Sequence, residues 1–426
     1  MATSKPALSR IERLDLILGL STVVLRVVFS ALAYPFRGSD RAPTFGHHVQ
    51  TNLIRALTTR LSIPQLQYIQ GTSSTNFNKW AALHGNVGLL STEVLAEDAK
   101  IYWIGRRDNK TVILHIHGGG YILPLFAGHL NLLSSLRDHI QKSTNTSVSV
   151  ALLGYTNSPR ATYPTQFRQA NVALRHLIES GINPSNIILS GDSAGGHIGL
   201  CLLSHILHPH PAVDPPPVLS SPLGGVLLIS PRVTNECTAP SFYSNTNRDT
   251  LTRETLFAWS SSFRSNSPIS TEHGLRADGF YTEPLNAPPE WWEGFTAKIT
   301  ERVFISAGTH ECFRDAIVGF ADKMKGIPGL DVVLMLEEKG IHDSPLMDVR
   351  RPPTDLLKAI RHWLSQTIES FQLWCRASRD GALDVPLETG VLADGNTLPE
   401  GENLEPRRYF RTKTGKGLQL CSNGDP

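Results

Sequence analysis

Two periods of hydrophobic positions alternate along the chain. Near-continuous apolar runs at 111–116 (TVILHI), 148–153 (VSVALL), 186–190 (NIILS), 225–229 (GVLLI), 303–306 (VFIS) and 332–336 (VVLML) read as strands buried on both faces. Between them lie stretches with apolar residues at helical spacing: 163–180, stopped by Gly181; about 196–207, ending before Pro209; and 355–371. Strands alternating with helices predict a mostly parallel central sheet flanked by helices.

Two regions interrupt this rhythm. Residues 37–100 mix polar turns with short apolar helical stretches such as 49–61, and read as a cap or lid region. Residues 232–300 carry few strand patterns and several large apolar side chains (Phe242, Phe257, Trp259, Phe280, Trp291 and Trp292), and read as a cap insertion in a catalytic domain spanning 101–375. The expected fold is therefore α/β, with an N-terminal and an inserted helical cap. Residues 376–426 are rich in Gly, Pro, Asn and charge, and are expected to form a disordered tail.

The first 36 residues need their own reading. The stretch 14–36 is apolar enough to span a bilayer, yet Arg26 stands in its middle. It is a signal-anchor or interfacial membrane helix, a hydrophobic helix capping the catalytic domain, or a processed segment. These place the protein at a membrane, such as the endoplasmic reticulum, or in the cytoplasm.

Composition narrows the function classes. Lys and Arg number 40 against 38 Asp and Glu, a formal net charge of +2, so no basic excess points to nucleic acid. Cys201, Cys237, Cys312, Cys375 and Cys421 are scattered without a C-x-x-C pair, which argues against a zinc site or a disulfide framework and leaves one bridge open.

The chemistry concentrates in three places. Gly191-Asp192-Ser193-Ala194-Gly195 matches G-x-S-x-G between a strand and a helix, the context that lifts a nucleophilic serine above a sheet. His117-Gly118-Gly119-Gly120 also follows a strand, where glycines let backbone N–H groups approach a substrate oxygen. Gly119, Gly120 and Ala194 are the candidate oxyanion donors. His342 follows the last strand and is the candidate general base. Its carboxylate partner is Glu311 or Asp315, both after the strand 303–306. Asp343 adjoins the histidine and is expected to point elsewhere. The other histidines fall outside this set. His115 and His117 are expected to be structural, while His47, His48, His205, His208 and His210 are expected to be solvated or capping.

HGGGY, GDSAGG, the segment Gly308–Asp315 and GIHDSP together resemble the hormone-sensitive-lipase-like branch of the α/β hydrolases, over about residues 100–365. Tyr155-Thr156-Asn157-Ser158-Pro159 and Tyr163-Pro164-Thr165-Gln166 are similar to a segment that branch carries before its elbow. Within the branch, the hydrophobic N-terminus, PTQ-x-x-Q-A and GDSAGG-H are most like fungal steryl acetyl hydrolases and related esterases of secondary metabolism. Glu311 departs from the branch, which usually has Asp there. The resemblance implies a cofactor-free serine esterase using Ser193, His342 and Glu311, acting on an acetyl-type ester of a bulky lipophilic alcohol. Alternatives are a triad-dependent acyltransferase, thioesterase or cyclase, or a hydrolase-fold protein that only binds ligands.

Overall fold

The computed structural model describes residues 6–38, 42–84, 89–264, 279–348 and 352–379. The chain divides into two compact units, one through Ile368 and one from Glu369. The second is described only as the end of the last helix, so the tail expected over 376–426 lies outside the described residues beyond Arg379.

The first unit is built on an eight-stranded sheet: β1 (Leu90–Val94), β2 (Lys100–Ile104), β3 (Thr111–Ile116), β4 (Val148–Gly154), β5 (Ile187–Asp192), β6 (Gly225–Ile229), β7 (Arg302–Gly308) and β8 (Asp331–Glu337). Their spatial order is β1-β2-β4-β3-β5-β6-β7-β8. β2 runs antiparallel to β1 and β4, and the other neighbours are parallel. The predicted mostly parallel sheet is thus present, and each of the six expected strands is found within two residues of its expected limits. β1 and β2 were not anticipated, and β1 falls within the region read as cap. β1 sits at the sheet edge and buries none of its residues fully, so it lacks the continuous apolar run that marks the central strands.

Burial on both faces fills two core layers. Along β3, Val112, Leu114 and Ile116 face one cluster and Ile113 the other, as the two-residue strand period requires. On the first side pack α6 (Thr165–Glu179), α7 (Ser193–Leu207) and α12 (Arg314–Lys325), through side chains such as Phe167, Leu174, Ile198 and Phe320. The other side is covered by α5 (Ala127–Thr144) and α14 (Asp355–Arg379), through Leu133, Leu136, Leu357, Ile360 and Leu364.

The N-terminal region is helical: α1 (Arg10–Ala33), α2 (Phe45–Arg60), α3 (Ile63–Gln70) and α4 (Ser73–His84). A capping box between Ser9 and Glu12 starts α1. α1 lies against α2, burying Leu16 and Val23. Beside them its docked side carries polar contacts. Asp15 pairs with Arg60 at 2.7 Å and accepts from Gln65 at 2.8 Å, and Ser30 bonds His48 at 2.9 Å. His48, expected to be solvated or capping, is buried, and its Nε2 also lies 2.9 Å from the Ser30 carbonyl in the last turn of α1. The outward side carries Ile17, Leu18, Val24, Leu25, Phe29 and Leu32, all exposed.

Between β6 and β7 the described chain holds only short helices and turns: α8 (Pro240–Ser244), α9 (Arg253–Arg264), α10 (Gly279–Thr282) and α11 (Phe295–Lys298). A last short helix, α13 (Ser344–Asp348), follows β8.

Candidate active site

The strand-to-helix turn between β5 and α7 puts Ser193 at a φ of +48°, the left-handed region that an L-residue occupies only under local strain. The turn is so tight that a Cβ at Gly195 would collide with the carbonyl of Ile116 on β3. Beneath it, Asp192 is fully buried. His115 Nε2 meets one of its oxygens at 2.9 Å and His129 Nε2 the other at 3.2 Å. Burial opposes ionisation of this carboxyl, but His129 and His115 outweigh it and hold Asp192 below the usual carboxylate range. His115 also reaches Ser190 Oγ, its register partner on β5, at 3.0 Å. His115 is therefore structural, as expected.

Three chain-distant groups converge above the elbow. His342 Nε2 lies 2.7 Å from Ser193 Oγ, and His342 Nδ1 lies 2.7 Å from Glu311 Oε1. The other Glu311 oxygen accepts from Ser230 Oγ at 2.9 Å and from the Gly308 N–H at 2.9 Å. The carboxylate is thus held from two sides. Asp315 is turned away: it accepts from the Ser241 N–H at 2.8 Å and from Arg314 at 2.7 Å. Asp249, which sequence reasoning missed, fastens the histidine loop by accepting from the His342 N–H at 2.9 Å and the Cys312 N–H at 2.7 Å. It lies in the insertion, far from His342 in sequence, and no local pattern marks it.

Two expectations need correcting. Asp343 does not point elsewhere, because its Oδ2 lies 3.2 Å from His342 Nε2. The positive φ of Asp343, +54°, turns the side chain back toward the imidazole. His205 and His210 are buried rather than solvated: His205 bonds the Asp214 carbonyl at 2.9 Å and His210 meets the Tyr163 hydroxyl at 3.2 Å.

Gly119 and Gly120 line the same cavity as Ser193 and His342. Gly120 has a φ of +60°, and a Cβ there would run into the Trp259 ring, so the loop can take its course only with glycine. Ala194 lies in the first turn of α7, where the N–H groups of a helix have no intrahelical partner. The segment after β4 ties this loop down: Tyr155 donates to the His117 carbonyl at 2.9 Å, and Asn157 to the Leu123 carbonyl at 2.8 Å. The His117 ring stacks on Tyr155 with centroids 4.3 Å apart, and burial pushes its pKa down to about 3.

The cavity has a volume of about 360 Å³. One wall comes from α2 (Gln50, Ile54, Thr58), another from the insertion (Thr250, Leu251, Trp259). Of the large side chains singled out between 232 and 300, only Trp259 lines it. Phe242 and Trp292 are buried in the core, and Phe257 faces solvent. A buried serine–imidazole–carboxylate relay beside glycine amides can carry out nucleophilic acyl transfer.

A family model described as alpha/beta hydrolase fold matches residues 113–346, more than half of the chain. The chain belongs to the alpha/beta hydrolase fold family. The match takes in the glycine loop, the elbow, Glu311 and His342. The hormone-sensitive-lipase-like resemblance is borne out by individual alpha/beta hydrolases. The Schizosaccharomyces pombe protein mug81, named as a steryl acetyl hydrolase, is 28% identical over 250 residues, which are 56% of this chain and 62% of that one. An acetyl-hydrolase of Streptomyces hygroscopicus is 31% identical over 122 residues, 28% of this chain and 38% of the other. Steryl acetyl hydrolase 1 of Saccharomyces cerevisiae is 23% identical over 250 residues, 56% and 55% of the two chains. The chain thus spans less than two thirds of the length of these relatives. An esterase from the bacterial hormone-sensitive lipase family superposes with a TM-score of 0.53 at 20% identity, covering 70% of this chain and 90% of that one, a likeness of fold.

Proposed function

We propose that this chain is a serine esterase that removes a short, acetyl-type acyl group from a bulky lipophilic alcohol. The observation that carries the reading is the relay from Ser193 Oγ through His342 to Glu311, with both links at 2.7 Å, opening on a cavity lined by Gly119 and Gly120. In this reading Ser193 Oγ attacks the ester carbonyl while His342 Nε2 takes its proton. The carbonyl electrons move onto oxygen, which the amides of Gly119, Gly120 and Ala194 stabilise. The C–O bond to the alcohol breaks, and the proton on Nε2 passes to the leaving alkoxide. Water then repeats the sequence on the acyl-enzyme and releases the acid. Glu311 accepts the Nδ1–H and steadies the imidazolium. The names of the relatives, steryl acetyl hydrolase and acetyl-hydrolase, favour the acetyl group.

The N-terminal helix extends the proposal to a membrane. Among the described residues α1 is the one helix long and apolar enough to cross a bilayer. Its polar side is occupied by α2, so the arrangement favours α1 lying in a lipid surface with its apolar side inward.

The test is Ser193→Ala. It is expected to abolish covalent labelling by a fluorophosphonate and to lower hydrolysis of p-nitrophenyl acetate by several orders of magnitude. Undiminished labelling of that variant would reject the nucleophile. Wild-type protein that is labelled on Ser193 but hydrolyses no oxygen ester would favour acyl transfer to another acceptor.

A further inference from the structure

His342 Nε2 has two neighbours where the relay needs one. Ser193 Oγ lies at 2.7 Å and Asp343 Oδ2 at 3.2 Å. In the state that activates Ser193, Nδ1 carries the proton shared with Glu311 and Nε2 offers a bare lone pair to the serine O–H. A carboxylate oxygen facing that lone pair is repulsive. The contact is favourable only with a proton between the two atoms, either on Nε2 as imidazolium or on Asp343 as neutral acid. Both forms occupy Nε2.

Asp343 is built into this position. Its backbone takes a φ of +54°, and its N–H donates to Ser230 Oγ at 3.2 Å, the same hydroxyl that donates to Glu311. The side chain is 10% exposed, lines the cavity, and its Oδ1 has no hydrogen-bond partner among the described residues. Neither oxygen is engaged in holding the fold together.

We propose that Asp343 is a positioning residue of the relay, holding one extra proton on the Nε2 side of His342 that must leave to water before Ser193 can be activated. The inference rests on the serine-esterase reading above and deepens it.

The carboxylates facing the pair agree in sign, and the cations nearby are engaged with other partners. Glu311 comes from the turn after β7, Asp249 from the loop after α8 and Asp192 from the end of β5; Arg55 of α2 holds the Asp249 carbonyl at 2.7 Å, and Cys312 is bonded to the Asp249 carboxylate. His115 and His129 are engaged with Asp192, while Arg232 stands over Phe313, whose ring is 5.1 Å from that of His342. Burial opposes the imidazolium, but Asp343, Glu311 and Asp249 outweigh it and raise the pKa of His342. Asp343 is itself raised by burial, against the pull of His342.

The experiment measures kcat/KM for p-nitrophenyl acetate against pH on the full chain, as wild type, Asp343→Asn and Asp343→Gly. Asn and Gly both accept a positive φ. Active-site titration with a fluorophosphonate at high pH counts the competent molecules in each sample. The wild-type acid limb is expected above the ordinary histidine value of about 6.5. Both variants are expected to move that limb down by about one unit or more while keeping the high-pH plateau within about tenfold. A wild-type limb at or below the ordinary value would overturn the proposal without any variant. So would a limb unmoved in either variant, whether or not its plateau falls, since a merely structural role lowers the plateau and leaves the limb in place. Failure of the esterase reading shows separately, as labelling that survives Ser193→Ala.

Discussion

The candidate acid illustrates what single residues reveal and what they conceal. Glu311 and Asp315 are one helical turn apart, and the sequence leaves both open. The difference lies in their partners: Glu311 meets His342 Nδ1 at 2.7 Å, whereas Asp315 accepts from Ser241 and Arg314 at the start of α12. Glu311→Gln is therefore expected to lower kcat by roughly 10⁴-fold, because an amide in place of the carboxylate admits the wrong tautomer and leaves the imidazolium unsupported. Asp315→Asn is expected to change kcat little, although it weakens the junction with Ser241. Steady-state kinetics on both variants decides it, and the reverse ranking would move the role to Asp315. Ser193 and His342 were legible because each sits in a local pattern, G-x-S-x-G or the turn after the last strand. Ser230 and Asp249 were not, since each acts across a gap in sequence that only the fold closes. Asp343 was misread because adjacency in sequence says nothing of direction, and its positive φ decides that direction.

Among the elements, α1 is the one whose pattern contradicts its packing most plainly. A helix on a soluble protein turns its apolar stripe inward and its polar face to water. α1 departs from this: it buries Leu16 and Val23 together with polar contacts from Asp15, Arg26 and Ser30, while Ile17, Leu18, Val24, Leu25, Phe29 and Leu32 face outward. The sequence shows the apolar stretch but not the sidedness, because 14–36 is apolar nearly all round and the docked face is chosen by α2 and by Gln65 of α3. A helix docked along its length on a polar neighbour is badly placed to cross a bilayer, and well placed to lie in its surface. Full-length protein is accordingly expected to float with phospholipid vesicles in a density gradient. Leu18→Glu with Leu25→Glu should abolish flotation and leave hydrolysis of a water-soluble ester unchanged, since both side chains are exposed. Flotation that survives the double substitution would reject the lipid-facing role. The strands follow the same logic of legibility. β3 to β8 announce themselves as apolar runs, whereas β1, at the sheet edge, carries none; β2, paired between β1 and β4, carries the short run 101–104, which the sequence alone does not assign to a strand.

At the scale of the whole molecule, the sheet brings its working parts to one edge. Ser193 follows β5, Glu311 follows β7, His342 follows β8 and the glycine loop follows β3, all at the carboxyl ends of parallel strands, where such sheets place their sites. The fold class could be read from the alternation of elements; the shape of the cavity could not, because its walls come from α2 and from the insertion, far apart in the chain. On the side of the glycine loop Trp259 packs directly on Gly120. The lining also includes Gln50, Ile54 and Thr58 of α2 and Leu346 and Met347 of α13. A volume of about 360 Å³ falls in the range of pockets that enclose a small organic ligand. We propose that an ester bound with its carbonyl oxygen at Gly119 and Gly120 puts its acyl group toward Trp259, which packs on Gly120, and its alcohol toward α2. On this arrangement kcat/KM should fall steeply from acetate or butyrate to longer acyl chains, and rise as the alcohol grows larger and more apolar. Trp259→Ala supplies the discriminating case. Removing the indole lengthens the acyl side, so the variant should flatten the chain-length profile by gaining on long acyl chains, even where the loss of a buried tryptophan, about 3–5 kcal/mol of stability, lowers the yield of folded protein. A wild-type preference for long acyl chains would reject the short-acyl reading, and a Trp259→Ala profile parallel to the wild type would place the acyl group elsewhere in the cavity.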